Sequence, residues 1–211
     1  MTGSATRVFL ASRNAKKLAE MERILREHAP DLHVVGLDDV PAYDEPVEDQ
    51  PTFEGNALLK ARAGASATGL PSLADDSGLC VDALNGMPGV LSARWAGPPK
   101  SDQRNNELLL AQLGDVPDER RGAHFVCAVA FVHPAGTELV VHGEMHGRVI
   151  RETRGSGGFG YDVLFVADEH SVSGLTTAEI SVADKDAISH RGRALREIAP
   201  SVAAALRSSP G

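Results

Sequence analysis

The stretch "RVFLASRNAKKL", Arg7 to Leu18, carries the first structural decision in the chain. Arg7 to Ala11 reads as a short buried strand. "SRNAKK" is a polar turn. Leu18, Met21, Ile24, Leu25 and His28 then recur at helical spacing, with Asn14 as a predicted N-cap and Pro30 as the stop. Strand, turn and helix in immediate succession are the opening of an α/β fold.

The pattern repeats outward from there. Leu32 to Leu37 is a second strand, and the acidic, Pro-containing stretch from Val40 to Gln50 is a loop. Thr52 caps a predicted helix to about Thr68, with Phe53, Ala57, Leu58, Ala61 and Ala65 as its inner stripe. "GLPSLADDSG" reads as turn, strand and turn, and Leu79 to Leu84 as a further short extended piece. "SDQRNNELLLAQLGDV" is a helix with a Ser or Asp cap. After it the character changes. "AHFVCAVAFVHPAGTELVVHGEMHGRVI" is two strand-like runs around "HPAGTE", a hairpin signal. "GSGGFGYDVLFV" is a Gly-rich loop entering a strand. Ser189 to Ile198 is a helix, and Pro200 opens a last short one to about Arg207. No repeat or linker interrupts residues 1–211, so we read a single mixed α/β domain of two lobes around a central cleft.

Composition narrows the function. At 211 residues, with 42% apolar and 24% charged residues, the chain is long enough for one sizeable core. A net charge of −8 argues against a general nucleic-acid binder, which needs a basic face. No apolar run reaches membrane-spanning length. The apolar stretch near the N-terminus gives out at Ser12, too early for a signal peptide. Cys80 and Cys127 sit in apolar runs without metal-ligand spacing and read as buried thiols. A cytoplasmic protein is the default expectation.

Four segments offer chemistry, and each is also compatible with an ordinary turn or surface helix. "SRNAKK" lies where a helix N-terminus and cations favour an anion, although the P-loop spacing is absent. Asp75 and Asp76 end an apolar run before Ser77-Gly78. Strand alternation aims them to opposite sides, so one can face a cleft to hold Mg²⁺ or polarise a water. Asp44, Glu45, Glu48 and Asp49 are a further acidic source. "GSGGFGYD", Gly155 to Asp162, has four glycines in its first six residues, so a flat ligand can approach. Phe159 and Tyr161 add stacking faces there, and Asp162 an acceptor. "KDAISHRGRAL" places His190 and Arg191 in the first turn of a helix that Ser189 caps, where both can donate to a base or phosphate oxygen. Together these make a nucleotide-binding inventory.

"SRNAKK", "TFEGNALLKA", "LADDSGL", "GGFGYD" and "AISHRGRAL", in this order and spacing, resemble the inosine/xanthosine triphosphate pyrophosphatase family. The likeness runs from about Val8 to Leu195. It implies an elongated two-lobed α/β fold, a homodimer, and Mg²⁺-dependent hydrolysis of ITP, dITP and XTP to monophosphate and pyrophosphate. Carried over residue by residue, it places Ser12, Arg13, Asn14, Ala15, Lys16, Lys17 and Lys60 at the phosphates. Asp76 becomes the catalytic base and a metal ligand, with Glu48, Glu45 or Asp75 as the second ligand. Ser77 touches substrate, and Phe159, Gly160, Tyr161 and Asp162 clamp the base. Lys185, His190 and Arg191 complete the site. Two departures stand out. Ser12-Arg13-Asn14 replaces the family's usual Thr-Gly-Asn, and Gly55 stands where a Glu commonly precedes Asn56. Two other readings of the same inventory are a pyrophosphatase preferring modified pyrimidines and a nucleotide sensor without turnover.

Overall fold

The computed structural model describes residues 6–208. Residues 1–5 and 209–211 lie outside that range. The elements run β1 (Thr6–Leu10), α1 (Ala15–Arg26), β2 (Leu32–Val35), α2 (Phe53–Thr68), β3 (Ser72–Val81), α3 (Asp102–Gln112), β4 (Gly122–Val132), β5 (Glu138–Val149), β6 (Phe165–Ala167), α4 (Val182–Ile188) and α5 (His190–Ser208). The strands form one mixed sheet in the order β2-β1-β3-β4-β5-β6. β1 pairs in parallel with β2 and β3, through Val8 with Val34 and Leu10 with Leu73. β5 and β6 are antiparallel, with Arg148 opposite Val166. Crossover helices α1 and α2 account for the parallel half. The expected hairpin joins β4 to β5, closed by the His133 N–H on the Thr137 carbonyl at 2.8 Å. Among the described residues no helix is long and apolar enough to cross a membrane.

The chain divides into two compact units. Among the described residues, one holds 6–76, 128–142 and 193–208; the other holds 77–127 and 143–192. In the first, Val8, Phe9 and Leu10 of β1 are fully buried, as are the small residues Ala57 and Ala61 of α2. Small residues let α2 lie close to the sheet. Gly64 takes this furthest, because a methyl group there would meet both Phe9 Cε1 and Ser72 Oγ at 2.6 Å. Asn14 caps α1, its Oδ1 accepting from Lys16 N at 3.0 Å and Lys17 N at 3.3 Å. Thr52 Oγ1 caps α2 through Gly55 N at 3.0 Å.

The second unit packs Leu79, Leu109, Phe125, Met145, Tyr161 and Phe165 around one core. Arg121 is buried in this unit and held by main-chain carbonyls. Its guanidinium donates to the carbonyls of Leu113 at 2.6 Å, Val149 at 2.8 Å and Ile150 at 3.0 Å. Burial pushes its pKa down, and Arg151 adds to the effect.

Three details differ from the sequence reading. "ADDSG" is not a turn: β3 runs unbroken from Ser72 to Val81, because other side chains meet the two carboxylates inside the strand. Pro200 does not open a new helix but sits within α5. Its ring removes one helix hydrogen bond at an exposed position. A seven-residue helix, α4, precedes α5 and carries Lys185. Ser181 caps it by accepting from Asp184 N at 3.1 Å.

Candidate active site

Two groups of polar side chains gather the residues singled out above, one in each unit. The first surrounds the N-terminal half of β3. Alternation along the strand buries Asp75 and leaves Asp76 half-buried. Lys17, in the first turn of α1, donates to Asp75 Oδ1 at 3.0 Å and Oδ2 at 2.9 Å. Lys60 donates to Glu48 Oε1 and to the Asp75 carbonyl, both at 2.7 Å. Asn56 lies one turn before Lys60 on α2 and reaches the neighbouring residue of β3, with Nδ2 2.9 Å from Asp76 Oδ2. Its Oδ1 accepts from Gln50 N at 3.0 Å, which fastens the acidic loop to the helix. The i, i+4 spacing of Asn56 and Lys60 therefore places an amide on Asp76 and an ammonium on the Asp75 carbonyl.

The remaining residues of "SRNAKK" sit around this group. Ser12 Oγ accepts from Asn14 N at 3.1 Å. Arg13 is exposed and pairs with Glu45 at 2.7 Å and, more loosely, Asp38 at 3.6 Å. The hydrogen bond to Glu45 raises its pKa above the ordinary arginine value. Ala15 and Lys16 are exposed. Gly55 packs against the loop: a methyl group there would meet Gln50 Cβ at 2.8 Å.

Among the described residues no cluster of three or more His, Cys, Asp or Glu side chains is arranged to hold a metal. Mg²⁺ makes a smaller demand. It keeps several waters and takes one or two carboxylates together with substrate phosphates. Glu48 and Asp76 are hard oxygen donors of that kind. Lys60 touches Glu48 and the Asp75 carbonyl, which brings the loop carboxylate to the strand that carries Asp76. The donor chemistry fits.

The second group lines a cavity of about 140 Å³ in the other unit. Ser77, Gly78 and Leu79 of β3 form part of its wall, together with Phe125, Phe159, Tyr161, Asp162, Lys185 and His190. The His190 ring stacks on Phe125, centroids 5.1 Å apart and planes 14° apart. Lys185 Nζ stands 5.1 Å from the centroid of the Phe159 ring, a cation–π distance. Phe159 is 68% exposed, so its face is open to a ligand. Tyr161 is buried, and its hydroxyl donates to the Ser92 carbonyl at 2.9 Å. Burial, reinforced by Asp102, pushes that phenol's pKa well above the ordinary tyrosine value. Arg191 is half-buried beside His190 and is not part of the lining.

Asp162 has work within its own loop. Oδ2 accepts from Phe159 N at 2.8 Å and from Lys185 Nζ, and Oδ1 accepts from Thr177 Oγ1 at 2.8 Å. It is 4% exposed. Its carboxylate shapes the Gly-rich loop and holds Lys185 beside Phe159.

Several of these residues were not singled out from the sequence. Asn56 lay inside a quoted motif without a role. Ser92 Oγ accepts from Leu79 N at 2.9 Å, while its carbonyl takes the Tyr161 hydroxyl and Asn105 Nδ2. Asn105 and Asn106 are both buried on α3. Amides at the buried positions of a helix were the readable signal.

The Ham1 family profile matches residues 8–201. The chain belongs to the Ham1 family. The dITP/XTP pyrophosphatase of Nocardia farcinica is 63% identical over 199 residues, spanning 94% of this chain and 95% of that protein. The nucleoside-triphosphatase / dITP/XTP pyrophosphatase of Mycobacterium abscessus is similar in structure, with a TM-score of 0.78 and 53% identity. The match covers 92% of this chain and all of that one. The Ham1 protein of Staphylococcus aureus gives a TM-score of 0.84 at 37% identity, over 95% of this chain and 100% of that chain. The Ham1 match spans β1 through most of α5, so both groups of side chains fall inside it.

Proposed function

We propose that this Ham1-family chain hydrolyses ITP, dITP and XTP to the monophosphate and pyrophosphate, and so keeps deaminated purines out of DNA and RNA. One observation carries the reading. Consecutive residues of β3 serve two chemistries: Asp75 and Asp76 meet Lys17, Lys60 and Asn56, while Ser77 to Leu79 wall a cavity with aromatic faces. A nucleoside triphosphate carries the two groups that these suit.

The cations take the phosphates. An ammonium has three N–H donors. Lys60 uses two, on Glu48 and the Asp75 carbonyl, and Lys17 uses two on Asp75, so each keeps one for a phosphate oxygen. Asp76 is the general base. It takes a proton from water as the water oxygen bonds to the α-phosphorus. The bond from that phosphorus to the bridging oxygen breaks, and pyrophosphate leaves with the electron pair. Charge grows on the leaving group, and Lys17 and Lys60 stabilise it more in the transition state than in the ground state. Asn56 orients Asp76 by donating to its Oδ2 at 2.9 Å. Glu48 and Asp76 are the carboxylates that would hold Mg²⁺, which when bound supplies Lewis-acid neutralisation of phosphate charge.

The cavity takes the base. Phe159 offers a stacking face, and Lys185 and His190 offer donors. Hypoxanthine and xanthine present a 6-oxo acceptor to such donors, and adenine presents a 6-amino donor. The mismatch leaves polar groups unpaired at a cost of about 1–3 kcal/mol.

The products test the reaction. ³¹P NMR of an ITP reaction should show IMP and pyrophosphate appearing together. Accumulation of IDP with inorganic phosphate would move the attack to the γ-phosphorus and sink this mechanism.

A further inference from the structure

Two side chains of α3 hold Gly160 by both of its backbone groups. The Gly160 N–H donates to Asp102 Oδ2 at 2.7 Å, and its carbonyl accepts from Asn106 Nδ2 at 2.9 Å. Asp102 and Asn106 are four residues apart, so they stack on one face of the helix. Gly160 has φ of 61°, the left-handed region, and stands between Phe159 and Tyr161. Each donor and acceptor in this clamp matches: a carboxylate faces the N–H and an amide NH₂ faces the C=O.

We infer that Asp102 and Asn106 are positioning residues for base recognition, acting through Gly160 to set the plane of the Phe159 ring over the cavity. This rests on the reading of that cavity as the base site. A loop with four glycines between 155 and 160 has many conformations of similar energy. Phe159 is mostly exposed, so little packing fixes its ring. On one side Asp162 holds the Phe159 N–H; on the other the clamp holds Gly160. The aromatic face is thereby ordered before substrate arrives, and ligand binding does not have to supply that ordering. Asp102 and Asn106 lie in the unit of the cavity, whereas Lys17, Lys60 and Asp76 lie in the other. Loss of the clamp therefore acts on base binding rather than on the phosphoryl step.

The test is steady-state kinetics with ITP on Asp102→Ala, Asp102→Asn and Asn106→Ala, each checked by thermal melting. Asp102 is exposed, so its variants fold even if the buried Asn106 variant does not. Asp102→Ala should raise KM by about tenfold, with kcat changed far less. Asp102→Asn keeps an oxygen that accepts from the Gly160 N–H, so its KM should return to within about twofold of wild type. Asn106→Ala, where it folds, should match Asp102→Ala. Packing by α3 alone would not separate Asn from Ala at position 102. The inference is overturned if Asp102→Ala leaves KM unchanged, if the Asn and Ala variants are equally impaired, or if kcat falls at constant KM. Wild-type enzyme is assayed alongside. If it releases no pyrophosphate from ITP, the functional reading falls and the clamp's role falls with it. Turnover by wild type with unaffected variants removes the clamp alone.

Discussion

Lys60 Nζ lies 2.7 Å from Glu48 Oε1 and also 2.7 Å from the carbonyl of Asp75. One ammonium thus ties the acidic loop before α2 to the strand that carries the carboxylate pair. The Lys60 side chain is 17% exposed and keeps one donor for an incoming phosphate. Lys60→Met should cut kcat/KM for ITP by at least about tenfold, the value of about 1.4 kcal/mol of transition-state binding. The melting temperature should move by only a few degrees, because Met keeps the packing of the lysine stem and Glu48, 38% exposed, can turn to water. Unchanged kcat/KM would place the phosphates elsewhere.

Asp76→Asn keeps an oxygen for Asn56 Nδ2 and removes the base. We expect kcat to fall by about 10²–10⁴-fold with nucleotide binding preserved in a titration. Asp75→Asn should behave differently. The Asp75 side chain is 4% exposed and closes a salt bridge with Lys17, so breaking it costs stability, on the order of 3 kcal/mol. Near wild-type turnover by Asp76→Asn, with Asp75→Asn inactive yet folded, would reverse the two assignments.

Much of this was legible before any coordinates. The periods of β1, α1 and α2 follow from alternating and helical spacing, and Asn14 and Thr52 are caps that the sequence announces. What stayed hidden was pairing across distance. Asp75-Asp76-Ser77-Gly78 has the composition of a turn, yet Lys17 and Asn56, far off in sequence, meet the carboxylates and let the strand continue. Local propensity yields to tertiary contacts there. The Gly160 clamp was hidden for the same reason: Asn106 and Gly160 are 54 residues apart, and nothing local marks their contact. Asp162 read as an open acceptor because its partners, Lys185 and Thr177, lie in segments whose approach no spacing predicts.

Gly158→Ala should damage the aromatic loop. The residue has φ of 71°, and a methyl group there would meet Asp162 Oδ2 at 2.1 Å. The carboxylate that holds Phe159 N and Lys185 would have to move. KM for ITP should rise by about tenfold or more, with a stability loss of about 1–3 kcal/mol from the strained backbone. A KM equal to wild type would show that the loop tolerates Asp162 elsewhere.

The pH dependence at the alkaline end follows from the tyrosines. Burial raises both phenols above the ordinary value, Tyr161 most and Tyr43 less. A folded-state pKa above the unfolded one means this stability is fully present below about pH 10 and drains as pH rises further. Absorbance at tyrosinate wavelengths should therefore stay low past pH 10 and then rise together with loss of the circular dichroism signal. Titration of both phenols near pH 10 in a still-folded protein would contradict the burial of Tyr161.

Substrate selectivity tests the central claim most directly. Initial rates of pyrophosphate release should be measured for ITP, dITP, XTP, ATP, GTP and a pyrimidine triphosphate, each with and without Mg²⁺. Base recognition by Lys185 and His190 predicts kcat/KM for ITP, dITP and XTP at least about fivefold above ATP, the least that a polar mismatch of about 1–3 kcal/mol gives. GTP shares the 6-oxo group, so its rejection has to arise at the 2-amino group. Equal kcat/KM for ITP and ATP, or a faster rate on the pyrimidine, would contradict the assignment of this chain as a non-canonical purine triphosphate pyrophosphatase.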